Sequence, residues 1–191
     1  MRFLNCPIAP ASDTRRGRIL HTLITVLLSL CILANMALIF GLSSEDRSES
    51  SDRSGEITDA VVDVVYPDFD ERPAAEQESI FQRVHKFIRK LAHFSEFAIL
   101  GFLTALLAAH LAARFSAVTP LVQWVGPLAL CLIYAASDEI HQIFTERGPA
   151  VRDVLLDFAG VLCGVLAARV LVWIACMIAH KLNGRKGGNV A

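Results

Sequence analysis

Three short stretches carry the side chains best placed to bind an ion, ionise or exchange a proton: Lys90-x-x-His93-x-x-Glu96-Phe97, Asp138-Glu139-x-His141-Gln142, and Arg152-Asp153-x-x-x-Asp157-x-x-Gly160-x-x-x-Gly164. Each stands at the end of an apolar run. Ionisable residues at the rim of a bilayer are costly to keep there and point to function by default. A histidine beside carboxylates suits acid-base chemistry near neutral pH. His93 or His141 is then the acid or base and Glu96 or Asp157 its orienting partner, with Asp138 a further candidate catalytic residue. Lys90, Arg152, Arg147, Glu139, Gln142 and Asp153 are the candidate ligand-binding groups, and Lys90 or Arg152 could clamp an anionic headgroup.

Helical spacing supports such a grouping. Lys90, His93 and Phe97 share one face, and His93 and Glu96 are neighbours one turn apart. Asp138, His141 and Gln142 share another face, with Glu139 turned aside. Asp153, Asp157, Gly160 and Gly164 form one stripe, acidic at its top and small below. The Gly160-x-x-x-Gly164 step admits a second helix at short range and would bring that helix's polar residues against Asp157. His93-x-x-Glu96 and Asp138-x-x-His141 are also two-ligand pairs, but such pairs are common by chance, so a metal is not favoured and no cofactor is expected. A competing reading makes the same residues hydrogen-bonded glue between helices.

The elements that must position these clusters follow from composition. The chain has 191 residues, 54% of them hydrophobic, and a net charge of -1; its mean hydropathy is +0.48. That is too apolar for an ordinary soluble domain. With no basic stripe to displace phosphate counterions, nucleic acid is not an expected partner. The 5 cysteines include no C-x-x-C pair for zinc or redox work.

Four stretches, 19–42, 91–113, 118–137 and 154–179, are long enough to cross a hydrocarbon core, which takes about 20 apolar residues. The first follows Arg15, Arg16 and Arg18. Its apolar run exceeds a signal-peptide core of about 7 to 15 residues, and Gly41-Leu42-Ser43 is a weak cleavage site, so it reads as an uncleaved anchor. The expected fold is an all-α polytopic membrane helix bundle with four transmembrane helices and an amphipathic extracytoplasmic helical segment. Residues 1–18 and 181–191 are tails, and 19–180 form one membrane domain.

Orientation is read from positive charge. Arg15, Arg16, Arg18, Arg114, Lys181, Arg185 and Lys186 fall on one side and place both termini in the cytoplasm; Lys86, Arg89, Lys90, Arg147 and Arg152 argue the other way. In either orientation, counting crossings brings the three clusters to one rim, the outer one if the termini are cytoplasmic. The connection 43–90 opens as a Ser-rich acidic loop, then shows helical spacing over Ile57, Val61, Val64 and Val65, with Pro67 as a stop. After Pro73, the recurrence of Ile80, Phe81, Val84, Phe87, Ile88 and Leu91 describes an amphipathic helix expected to lie along the headgroups before turning into the second crossing, the alternative being an ordinary soluble helix packed on the bundle. Arg169, about 24 Å beyond Asp153 along a helix, is expected to snorkel to the far headgroups.

In order and spacing, Lys90-Leu91-Ala92-His93-Phe94-Ser95-Glu96-Phe97, then Ser137-Asp138-Glu139-Ile140-His141-Gln142-Ile143-Phe144 with Arg147, then Asp153-Val154-Leu155-Leu156-Asp157-Phe158-Ala159-Gly160, resemble the VanZ-like bacterial membrane proteins. Ser43 and Ser44 resemble that family's serine-containing segment end. The resemblance implies a small polytopic protein of the bacterial cytoplasmic membrane, with a namesake linked to low-level teicoplanin resistance and most relatives without an assigned reaction. Phe97 stands where tyrosine is frequent in the family, and Asp157 where many relatives have asparagine. The expected partner is a membrane lipid or a lipid-linked envelope amphiphile engaged by the outer-rim cluster; protein partners are not indicated. A non-catalytic scaffold is the alternative. A small transporter is a further one, although broken helices and repeated halves are lacking.

Overall fold

The computed structural model describes residues 14–44, 47–142 and 151–187; Arg147 lies outside them, and Gln142 is placed in a helix with its side chain outside the description. The described residues form five helices: α1 (Arg15–Ser44), α2 (Arg47–Val65), α3 (Ala74–Ala112), α4 (Pro120–Gln142) and α5 (Val151–Gly187). Four of them, α1, α3, α4 and α5, are long and apolar enough to cross a membrane. The fold is an all-α, multi-pass membrane bundle, with no strand among the described residues.

Burial on α1 shows which solvent the bundle is built for. His21, Ile32, Asn35, Ile39 and Ser43 are buried, while Leu20, Leu23, Leu27, Leu30 and Leu33 are exposed. A helix so apolar on its outer side would be a liability in water. In hydrocarbon it satisfies its backbone internally and offers the lipid only apolar side chains.

The connections order the crossings. At one end His21 of α1 meets His110 of α3: each ring Nε2 lies within hydrogen-bonding reach of the other residue's backbone carbonyl, at 3.3 and 3.1 Å, and the rings stack with centroids 4.0 Å apart. Gln123 of α4 meets Arg169 of α5 at this same end. At the opposite end Ser43 of α1 meets Asp138 of α4, and Lys90 of α3 meets Asp153 of α5. Successive crossings therefore alternate in direction, and α3 runs parallel to α5.

That parallel pair is the tightest in the bundle, and glycine is the reason. A Cβ on Gly101 would sit 2.5 Å from the Val161 carbonyl oxygen, and Cβ atoms on Gly160 and Gly164 would overlap the carbonyl oxygens of Phe94 and Ala98. Only hydrogen at those positions lets the two backbones touch, which is how helices associate where lipid removes the usual hydrophobic drive. Around this seam a core forms from Ile32, Ile39, Phe97, Leu100, Ala105, Cys131, Ala135, Val161, Val165 and Ala168.

Two expectations about the connections are revised. The amphipathic stretch after Pro73 does not lie flat and turn at Lys90; it is the first half of α3, which runs unbroken for 39 residues, or about 58 Å, roughly twice the hydrocarbon thickness. No glycine or proline occurs between Ala74 and Leu100 to interrupt it. Instead, this half pairs with α2. Thr58 and Val62 of α2 and Ile80 and His85 of α3 are buried, and Thr58 Oγ1 lies 3.5 Å from His85 Nδ1. The helix α2 begins at Arg47, inside the stretch read as a loop.

Arg169 also differs from expectation. It is buried rather than snorkelled. Its Nη1 donates to Gln123 Oε1 at 3.0 Å and its Nη2 to the Gln123 carbonyl, while the guanidinium lies 4.9 Å from the Trp124 ring centroid. The two Nη groups find their acceptors within the bundle and the ring face of Trp124 covers the guanidinium, which holds the side chain inside.

Candidate functional site

The site is assembled at the end of the bundle where α1 and α4 finish and α3 and α5 enter. α1 contributes Ser43 and Ser44 from its last turn. The Ser43 hydroxyl donates to Asp138 Oδ2 at 2.9 Å in a buried contact. The Ser44 hydroxyl donates to the Phe40 carbonyl at 2.7 Å and lies 3.0 Å from His141 Nε2. Since its single hydrogen is committed to Phe40, the imidazole Nε2 is the donor in that second contact. The His141 ring also stacks on Phe40, with centroids 4.5 Å apart. His141 is thus held by α1.

α3 contributes a ladder from rim to interior. Lys90, at the rim, donates to Asp153 Oδ1 of α5 at 2.8 Å. One turn deeper, His93 Nδ1 stands 4.0 Å from Glu96 Oε2. Below them Phe97 is completely buried and packs against Tyr134, with ring centroids 6.1 Å apart. Phe97 is the floor of the polar region and the top of the apolar core. Ser95 turns away and bonds to Leu91 O of its own helix.

α4 contributes Asp138 and Glu139, both buried. The second of these corrects the expectation that Glu139 is turned aside. Adjacent helical residues point about 100° apart, but the end of α4 is enclosed on both sides, by Ser43 of α1 and by the acidic top of α5. A turn below, the Tyr134 hydroxyl donates to the Met36 carbonyl of α1 at 2.6 Å. On α5, Asp157 is only 3% exposed and feels the charges of Asp138, Glu139, Asp153 and Glu96. Arg152 is exposed.

The structure therefore gathers Glu96, Asp138, Glu139, Asp153 and Asp157 around one point, with His93 and Lys90 beside them. It places Arg152 outside that group and His141 on its α1 side. Ser43, Ser44 and Tyr134 complete it. As site residues the two serines were indicated only by family resemblance, and Tyr134 had no signal, since one aromatic inside an apolar run reads as core. Among the described residues, no group of three or more His, Cys, Asp or Glu is arranged to hold a metal ion. The arrangement offers buried carboxylates and an imidazole, groups able to accept hydrogen bonds and to exchange protons.

No curated protein and no solved structure matches the chain. The VanZ/LLP1 family model matches residues 24–173, a span that includes Ser43, Lys90, Asp138 and Asp157. With most of its length and its whole polar end inside that match, the chain belongs to the VanZ/LLP1 family.

Proposed function

We propose that the polar end is a binding site for a membrane lipid or a lipid-linked envelope amphiphile, with His93, Glu96, Asp138, His141 and Asp157 supplying acid-base chemistry. The observation that carries this reading is the Lys90–Asp153 ion pair at the edge of a buried carboxylate cluster, where a headgroup at the rim would meet charge and then acceptors. Arg152 and Lys90 are the rim cations. In this reading the chain is a cell-envelope protein of the bacterial cytoplasmic membrane, with both termini in the cytoplasm and the polar end facing outward. Cysteines placed at Ser50 and Ser116 test the orientation: labelling of position 116 from outside would reverse it.

His93→Ala and Asp153→Ala test the function. Teicoplanin susceptibility, the phenotype linked to the family's namesake, is the first to score in a deletion strain. The reading expects both variants to fail to complement at normal protein levels; full complementation by both would overturn it. The Ser43–Asp138 hydrogen bond favours a second reading, in which the cluster only fixes helix packing in a non-catalytic scaffold. There, loss of function tracks loss of folded protein, which the same abundance measurement detects.

A further inference from the structure

The polar end is built to receive hydrogen bonds. Asp157, 3% exposed, has an Oδ1 with no hydrogen-bond partner. Glu96 Oε2 is also buried without one, and its neighbour His93 Nδ1 stands at 4.0 Å. Among the described residues beside them, the Lys90 ammonium is engaged by Asp153 and Arg152 is exposed. The carboxylates of Asp138, Glu139 and Asp153 act on Asp157, and that of Asp138 on Glu96 as well. An anionic group entering here would meet like charge and leave both acceptors unfilled. A group carrying N–H donors and positive charge would fill them, and charge-assisted hydrogen bonds are the strong ones.

We propose that the cluster seats a primary ammonium group against Asp157 Oδ1 and Glu96 Oε2, so that the amphiphile bound at this end is an amine-bearing one. This rests on the lipid-site reading above and specifies its headgroup. A zwitterionic aminophospholipid fits both layers of the site: its phosphate meets the exposed Arg152 at the rim, and its ammonium reaches the carboxylates inside. Choline carries the same charge without N–H donors, which separates hydrogen bonding from charge alone.

Native mass spectrometry of the full chain, released from micelles containing equal amounts of phosphatidylethanolamine, phosphatidylcholine and phosphatidylglycerol with identical acyl chains, tests this. Phosphatidylethanolamine is expected to be retained about tenfold over the other two, the factor corresponding to one charge-assisted hydrogen bond. That preference should fall in Asp157→Asn and Glu96→Gln and persist in Ser95→Ala. Displacement by millimolar free ethanolamine would assign the recognition to the amine itself; resistance to it would assign it to the intact lipid, and both support an ammonium seat. Phosphatidylglycerol retained as well as phosphatidylethanolamine, with both lost in Asp157→Asn, would overturn the ammonium seat and leave the lipid site standing. Retention of none of the three would remove both. The wild-type comparison decides the headgroup even if a variant does not fold.

Discussion

Ser43 donates its hydroxyl hydrogen to Asp138 across 2.9 Å, fastening the last turn of α1 to the end of α4 inside the polar site. Interhelical hydrogen bonds in membranes contribute about 0.6 kcal/mol on average and up to about 1.7. A double-mutant cycle of Ser43→Ala and Asp138→Asn, read by unfolding in a lipid-like medium, should give a coupling in that range. Strict additivity would show that the contact contributes nothing.

Gly164 faces the Ala98 carbonyl so closely that any side chain must push α3 from α5. Gly164→Ala and Gly160→Ala should each lower stability by about 1 to 3 kcal/mol, the usual cost of overpacking. Gly41, with nothing within 4 Å of its would-be Cβ, supplies the contrast. Gly41→Ala should be neutral or stabilising by up to about 1 kcal/mol through helix propensity. Thermal unfolding of the three variants side by side checks this order.

The Lys90–Asp153 pair separates stability from function. Its side chains are 54% and 39% exposed, and exposed ion pairs contribute about 0 to 1 kcal/mol. Asp153→Asn should therefore leave the unfolding temperature nearly unchanged while impairing the envelope phenotype. The exchange Lys90→Asp with Asp153→Lys should recover more function than either single change. A large loss of stability in Asp153→Asn would contradict this division.

Arg169 should not be replaceable by lysine. Its guanidinium bonds to both the side chain and the backbone of Gln123 and lies over Trp124, and an ammonium cannot reproduce the fork or the planar stack. Arg169→Lys and Gln123→Ala should each cost about 1 to 3 kcal/mol. Their double mutant should cost less than the sum, and denaturant unfolding provides the comparison.

The crossings and the gathering of the three clusters at one rim were legible in the sequence, because a hydrocarbon core sets a minimum apolar length and counting passes then fixes which ends meet. Rotation about each helix axis was not. Periodicity shows that Asp138 and His141 share a face. It does not show that α1 and α5 flank the end of α4, which is what buries Glu139 as well. The His21–His110 contact was equally hidden, because it pairs residues 89 apart in sequence with no local pattern. The length of α3 was misread because Lys86, Arg89 and Lys90 look like a membrane boundary, yet charges at a boundary do not break a helix; only a residue unable to hold its backbone geometry does.

The parallel seam between α3 and α5 fixes when the site comes into being during synthesis. Asp153, Asp157, Gly160 and Gly164 all belong to the last crossing, so the ribosome has made Glu96, Asp138 and Glu139 well before their α5 neighbours exist. Until α5 is in place, those carboxylates lack the Asp153 and Asp157 neighbours that complete the cluster. Closing the glycine seam is thus also what completes the site, since Gly160 and Gly164 set the approach that brings Asp157 to the carboxylates of the earlier helices.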